Sequence, residues 1–455
     1  MSLWDAHRWA CVGKTYKRCV RMSTTKMAKL MGVKEALRAF LERASALLRP
    51  PGVEEVPVLE ALGRVLAEDV KAPSSLPPFS RATMDGYAVR AEDTFGARPD
   101  RPIKLKLVGR ALAGPRIERL TLGPGECVQV STGSMLPEGA NAVVRLEHAR
   151  EVGGLVEIYQ PVPPGACVDE AGRDIRAGEL ALARGTILRA PDIALLLALG
   201  LRTVRVFVKP KVGVLSVGDE LVDPLAEPTP GPGQVRDVDR PMVMLLIKAL
   251  GIEPIDLGIA PDRPDDIGEA ISKGLSKCHA LLTTGGISVG PSDLVPRVLE
   301  GLGAEIIVHR VSMRPGRPIA LALLDGKPVI CLPGPPVACF LAFQFFARPV
   351  LLRLMGVRED RRPLCPTARA KLMKKVPSRI GFTDLVRVRL RLGPDGRLLA
   401  EPLTIRGAGI LTSLVRANGI VVVPEGVDVL EEGSEVDVHL IGPLELVQEG
   451  PGDEG

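Results

Sequence analysis

Three turns in the middle of the chain end apolar runs with residues suited to phosphate and metal chemistry. LSVGDEL closes on Asp219 and Glu220, LGIAPDRPDD carries Asp262, and TTGGISVGPSD carries Gly285, Gly286, Ser288, Gly290, Ser292 and Asp293. Glycines lack a Cβ and let a ligand approach the backbone, and consecutive N–H groups before a helix suit an anion. Carboxylates beside an anion would repel it, unless a divalent cation lies between them. Mg²⁺ accepts a few carboxylates together with phosphate oxygens. Glu220, Asp262 and Asp293 are therefore candidate metal or base residues facing a phosphorylated substrate. Further on, HRVSMRPGRPIA brings Arg310, Arg314 and Arg317 close together around Pro315–Gly316. Guanidinium forks match phosphate and oxyanion geometry in a bidentate way. LPGPPV (332–337) is a rigid turn opening a helix, a second anion-friendly terminus. Each feature alone has a plainer reading: Asp293 as a helix cap, the arginines as a solvated strand end. Their succession on consecutive turns is the stronger signal.

These turns need a scaffold that aligns them. From residue 211 the rhythm is strand, helix, strand: KVGVLSVG, a helix over 241–250, EPIDLGI, a helix over 264–277, HALLTTGG, DLVPRVLEGL as a helix, AEIIVHRV, PIALALL, PVICLPG, and a helix from Pro336 to about Leu354. Continuous apolar strands alternating with helices predict a mostly parallel sheet covered on both faces. Ligands of such sheets bind beyond the carboxyl ends of the strands, where these turns fall.

The flanks read differently. Helical spacing from Val33 to Leu48 predicts a helix stopped by Pro50–Pro51–Gly52, and residues 58–70 a second short one. The helix after Pro191 (DIALLLALGL) is a candidate partner for the N-terminal helix. That would make the intervening Gly- and Pro-broken alternating runs an inserted β module of barrel or sandwich type. After residue 358 strands and turns return, with a hairpin at Pro394–Asp395–Gly396, and predict a small β-barrel. The expected layout is a tail over 1–30, a helical linking domain over 31–72 and 174–208, the inserted β module over 73–173, the central α/β domain over 209–357 and the C-terminal β-barrel over 358–455.

Composition narrows the function. The 455 residues are 46% hydrophobic and 25% charged, with only 3% aromatics, so the cores are aliphatic. Seven basic residues against one acid lie in 1–30, leaving 52 bases and 53 acids elsewhere. A near-neutral body argues against nucleic-acid binding. The uncharged stretch Val329–Ala347 holds three prolines, and its portion beyond Pro336 is too short to span a bilayer. The eight cysteines include no metal-knuckle or redox pair and read as reduced thiols of a cytoplasmic protein. Two Asn and five Gln fit a hot-adapted source.

Taken in order, MDGYAV, STGSMLPEGANAVV, GRDIRAG, SVGDEL, TTGGISVGPSD, RPGRP, LPGPPV and SLVRANG resemble the molybdopterin molybdenumtransferase family, which includes the C-terminal domain of gephyrin. The likeness covers about residues 31–445. It implies an elongated homodimer whose α/β domain binds adenylated molybdopterin in a cleft completed by the partner's β module. There molybdate, or tungstate in a hot-adapted relative, is inserted with Mg²⁺ and AMP is released. The resemblance places functional residues on Asp85 and Thr132 (alone, more simply turn residues), on Asp174 (alone, a surface ion-pair residue), and on Glu220, Asp262 and Asp293. It adds Arg310, Arg314, Arg317, Pro333, Pro336 and Arg387. The family's usual lysines are arginines in RPGRP, its Asn of LPGNP is Pro335, and Ser80, Arg173 and Ala408 replace an Asp, an acid and a Ser. Rival readings are a nucleotide-binding protein of amidase type and a non-enzymatic scaffold.

Overall fold

The computed structural model describes residues 30–111, 113–114, 121–226, 229–287, 293–359, 366–403 and 407–443. The expected basic tail and Ser288 lie outside them. The α/β region is built on a six-stranded sheet in the order Glu253–Ala260, Lys211–Val217, Ala280–Gly285, Lys327–Leu332, Ala320–Leu324, Glu305–His309. The first four run parallel, and Ala320–Leu324 runs antiparallel to both its neighbours. The sheet is therefore mostly parallel, as the apolar strands imply. Helices Asp239–Ala249 and Pro336–Ala342 cover one face, and Pro264–Lys277 and Leu294–Gly301 the other.

The Pro336–Leu354 helix is 19 residues long and, by length and hydropathy, passes for a membrane span. It outruns the uncharged stretch because it continues through Arg348. Its Val337, Leu341, Phe343, Phe346, Val350 and Leu351 are buried in the main core, so here it packs as a core helix. A π-turn over Phe343–Ala347 interrupts its middle. Pro349 lacks an N–H and its ring crowds the carbonyl four residues back; the wider turn just before it absorbs that conflict.

Three corrections concern the flanks. Helix Val33–Arg43 buries Val33, Ala36 and Phe40 in the α/β core, against strand Glu305–His309 and the π-turn, rather than on helix Ala190–Ala198. The expected second helix is a 3₁₀ turn, Val58–Glu60. Gly63, at φ 73, ends any helical path, and Val65 and Leu66 then bridge Ile187 and Val206. Finally, the β module is a six-stranded sheet ordered Ala142–Arg145, Gly86–Val89, Glu126–Val130, Ile103–Ala111, Leu155–Ile158, Ala149–Val152, with no pairing among the described residues that closes it. It has a small core on each face rather than a barrel's single interior.

Val53–Pro57 pairs with Thr203–Phe207, and Val70–Lys71 with Leu180–Leu182, so the chain enters and leaves the β module through one paired stem. At the C-terminus, strands Thr383–Leu392, Leu398–Pro402, Thr367–Leu372, Glu435–Leu440 and Gly419–Val423 close into a barrel. Its Leu392–Leu398 hairpin turns at Pro394–Asp395–Gly396.

Phe346 is fully buried where the helix, sheet and N-terminal helix meet. Phe346→Ala is expected to cost about 3–5 kcal/mol, measured as a lowered urea midpoint with unchanged slope.

Candidate functional site

Parallel pairing of four strands, and the antiparallel Ala320–Leu324 that turns the fifth the same way, bring five carboxyl ends to one edge. After Lys211–Val217 come Gly218, Asp219 and Glu220; after Glu253–Ala260 comes Asp262. The two acidic turns are locked to each other. The Asp219 N–H donates to Asp262 Oδ2 at 3.3 Å, and the Asp262 N–H donates to Asp219 Oδ1 at 3.1 Å. Glu220 folds back over its own turn: a Cβ on Gly218 would lie 2.7 Å from Glu220 Oε2. Glycine at 218 leaves that carboxylate its space.

The next two ends are glycine turns in contact. Gly285 has φ 76, and a Cβ there would meet Val217 O at 2.3 Å. A Cβ on Gly334, after Pro333, would lie 3.4 Å from Gly285 Cα. A side chain at Gly285 would push apart adjacent strand ends, whereas one at Gly334 would rest in van der Waals contact with them. Gly286 O accepts from the N–H groups of both Leu294 and Val295, each at 3.1 Å. The start of helix Leu294–Gly301 is thus capped by a backbone carbonyl, and Asp293 makes no side-chain cap.

Asp293 turns instead toward the fifth strand end. It is buried, and its Oδ2 lies 3.0 Å from His309 Nε2 and accepts from Arg310 Nη2 at 3.0 Å. Arg310 sits at φ 67, which sends the chain back toward Ile319; its N–H donates to Ile319 O at 2.8 Å. Glu220, Asp262 and Asp293 therefore share one sheet edge. Among the described residues, however, no group of three His, Cys, Asp or Glu side chains is close enough to hold a metal by itself.

The arginine loop and the helix-opening turn lead to the barrel. Met313–Arg314 pairs in parallel with Thr383–Asp384. Arg314 Nε lies 3.4 Å from Asp384 Oδ1, and its guanidinium is stacked 5.9 Å from the Phe382 ring centre. Arg314 thus serves the domain junction. Arg317 is half-buried, and its Nε has no hydrogen-bond partner among the described residues. The Val337 N–H donates to Ala408 O at 2.9 Å, so the barrel's Gly407–Gly409 turn lies against the helix that Pro336 begins. Arg387 is buried on barrel strand Thr383–Leu392, and burial lowers its pKa.

The β-module residues form their own cluster. Asp85 Oδ1 accepts from the Thr132 N–H at 2.6 Å and from Thr132 Oγ1 at 2.9 Å. The backbone bond first, then the hydroxyl, hold the exposed Asp85 carboxyl below its ordinary pKa. Asp174 is exposed in a turn at the root of the module, its N–H on Leu76 O at 3.0 Å.

Sequence reasoning passes over three groups here. Asp219 stands beside Glu220 without being singled out. His309 is visible as a titratable residue at the end of an apolar strand. The RDVDRP segment (236–241) holds buried Asp237, Asp239 and Arg240, and nothing in its spacing announces burial. Asp239 Oδ1 has no hydrogen-bond partner among the described residues. Burial, and then the nearby Asp237 charge, push the Asp239 carboxyl up to about 7.

Comparison with known proteins covers nearly the whole described chain. Residues 31–200 match the MoeA N-terminal region (domains I and II), 213–353 the probable molybdopterin binding domain, and 369–441 the MoeA C-terminal region (domain IV). A putative molybdopterin biosynthesis protein of Methanocaldococcus jannaschii is 35% identical, over 90% of this chain and 98% of its own. A molybdopterin molybdenumtransferase of Synechococcus elongatus is 32% identical, over 90% and 99%. The crystal structure of a MoeA protein from Pyrococcus horikoshii OT3 superposes with a TM-score of 0.77 at 33% identity, covering 90% of this chain and all of that one (100%).

The Asp239 shift has a signed consequence. Its folded-state pKa lies above the ordinary 3.8, so the folded state keeps a proton that the unfolded chain releases. Stability is fully present below about pH 4 and is lost as pH rises toward about 7. Asp239→Asn removes this loss. The melting temperature of the variant should rise relative to the parent between about pH 4 and about pH 8, and a difference independent of pH would exclude the assignment.

Proposed function

The chain belongs to the molybdopterin molybdenumtransferase family, transferases of molybdenum cofactor biosynthesis, and from that premise we propose that it inserts molybdate, or tungstate, into adenylated molybdopterin with release of AMP. The observation that carries this reading is the shared edge: locked Asp219 and Asp262, Glu220, the Gly285–Gly286 turn and the Asp293–Arg310 pair. That edge combines acid, close backbone approach and guanidinium, as a nucleotide-linked phosphate substrate requires.

The adenylated pterin lies along the strand ends, with its phosphates over the Gly285–Gly286 turn, whose glycines sit at φ 76 and 61 with no room for a Cβ against Val217. Asp293 holds Arg310 in a fixed pose toward the phosphates. The oxyanion substrate is assigned to the Pro333–Pro336 turn, which the barrel's Ala408 meets, together with Arg317 and the buried Arg387. Water or an oxygen of the bound oxyanion attacks phosphorus and stays on it, the phosphoanhydride P–O bond breaks and AMP leaves; the dithiolene sulfurs replace oxygens of the oxyanion, which depart as water with the thiol protons. The residues bind, orient and balance charge, and none becomes covalently modified.

Magnesium fits this donor set. The adjacent acidic turns offer carboxylates without a complete protein cage, and Mg²⁺ is usually held by one or two carboxylates plus substrate phosphates. Glu220 and Asp262, with Asp219, would hold it, and it would supply neutralisation of phosphate charge. Asp293, committed to Arg310 and His309, is assigned to orienting them.

The exposed Asp85–Thr132 turn and Asp174 are assigned to the cleft of a second copy, making a homodimer with shared sites. A cytoplasmic location fits the unpaired cysteines Cys127, Cys167, Cys278, Cys331 and Cys339.

The test is AMP release from adenylated molybdopterin, with molybdate and tungstate in competition. Glu220→Ala should retain the fold and lose about 10²-fold or more in rate; undiminished turnover would refute its role. Mixing Asp85→Ala with Glu220→Ala subunits should restore roughly a quarter of parental activity through mixed dimers with one intact site. No recovery on mixing would remove the shared cleft.

A further inference from the structure

Behind the acidic turns lies a cluster that the reaction as described does not use. The chain leaves the sheet at Gly218 and returns at Asp237. Between these points the described residues are tied back by the Asp219–Asp262 bonds, by Val235 N–H to Glu220 O at 2.8 Å and Asp237 N–H to Val222 O at 2.9 Å, and by the short Leu221–Val222 with Val235–Arg236 pairing. A single guanidinium gathers the rest. Arg240 is 6% exposed in its side chain. Its Nε donates to Asp237 Oδ2 at 2.9 Å, its Nη2 to Asp223 Oδ2 at 2.9 Å, and its Nη1 to Asp256 Oδ1. Its backbone N–H donates to Asp237 Oδ1 at 3.2 Å.

Each carboxylate belongs to a different part of the acidic edge. Asp223 lies just beyond Glu220 and also accepts from the Leu225 N–H at 2.8 Å. Asp237 closes the excursion. Asp256 lies on the strand that delivers Asp262. Its Oδ1 also accepts from the Gly258 N–H at 2.8 Å, within the register shift that separates the Val214–Asp256 pair from the Ser216–Ile259 pair. The guanidinium therefore fastens the loop behind Glu220 to the strand before Asp262.

We propose that Arg240 is a positioning residue for the reaction, setting the Asp219–Glu220 turn against the Asp262 turn by clamping Asp223, Asp237 and Asp256. This rests on the reading that those turns face the substrate. Stability alone is a poor reason for such a cluster, because buried ion networks are often matched by apolar residues of similar volume. What the fork supplies is direction: three separate N–H groups in one plane, which a lysine ammonium cannot reproduce.

The test compares Arg240→Lys, which keeps the charge, with Asp223→Asn, which cuts one half-exposed arm and serves if the first variant does not fold. Each is made in the parental and the Glu220→Gln backgrounds. In the parental background kcat for AMP release should fall about tenfold or more while KM for adenylated molybdopterin stays within about twofold. In the Glu220→Gln background the same change should cost under about twofold more. Hydrogen exchange at the Asp219 and Glu220 amides should quicken at least about tenfold in Asp223→Asn. Equal losses in both backgrounds, or unaltered kcat and unaltered exchange, would overturn the proposal. If the parental protein releases no AMP, the functional reading fails, and exchange alone then decides whether Arg240 sets the turns.

Discussion

Two backbone N–H groups, each given to the other turn's carboxylate, hold Asp219 and Asp262 side by side. Like charges do not settle together unless something holds them. Here the holding begins with the parallel register of Lys211–Val217 and Glu253–Ala260, which ends both strands at one level. The same register sets Gly334 beside Gly285, and the two antiparallel pairings of Ala320–Leu324 turn the last strand so that His309 and Arg310 reach the same edge. Every other feature of the site is placed relative to that level.

The surrounding architecture answers the demands of that edge. The aliphatic core beneath it, threaded by the Pro336–Leu354 helix, keeps the strand ends from shifting. The barrel meets the edge at two points, through the Met313–Arg314 pairing and through Ala408 on the helix start. Ala408 acts through its carbonyl, so the absence of a hydroxyl at that position does not remove this junction. Arg314 spends its charge on Asp384 and Phe382, so the three arginines of the loop are not equivalent. Arg310 is tied to Asp293, Arg314 joins the domains, and Arg317 keeps a buried Nε without a partner among the described residues.

Much of this is legible in the sequence. Continuous apolar runs ending in glycine or acid mark the sheet and its acidic edge, and the Pro394–Asp395–Gly396 turn marks its hairpin. What the sequence hides is partnership. The periodicity of Val33–Arg43 shows that a face is buried but not against what, and its partner is the α/β core. The apolar spacing over 58–66 imitates a helix, yet Gly63 at a left-handed φ and pairing with Ile187 and Val206 decide otherwise. Asp293 reads from its motif as a candidate metal or base residue, with a cap as the plain alternative; Gly286 O caps the helix, and the Asp293 carboxylate pairs with His309 and Arg310. Arg240 and its three aspartates are invisible, since burial of a charge depends on chain folding from distant segments.

The nucleotide-linked ligand is expected to occupy the carboxyl edge of the α/β sheet. A crystal structure of the protein grown with adenylated molybdopterin tests this most directly. The account predicts the phosphates within hydrogen-bond reach of the Gly285–Gly286 backbone and beside Asp262 and Arg310. A ligand bound at the opposite, amino ends of the strands, or on the β module alone, would contradict it.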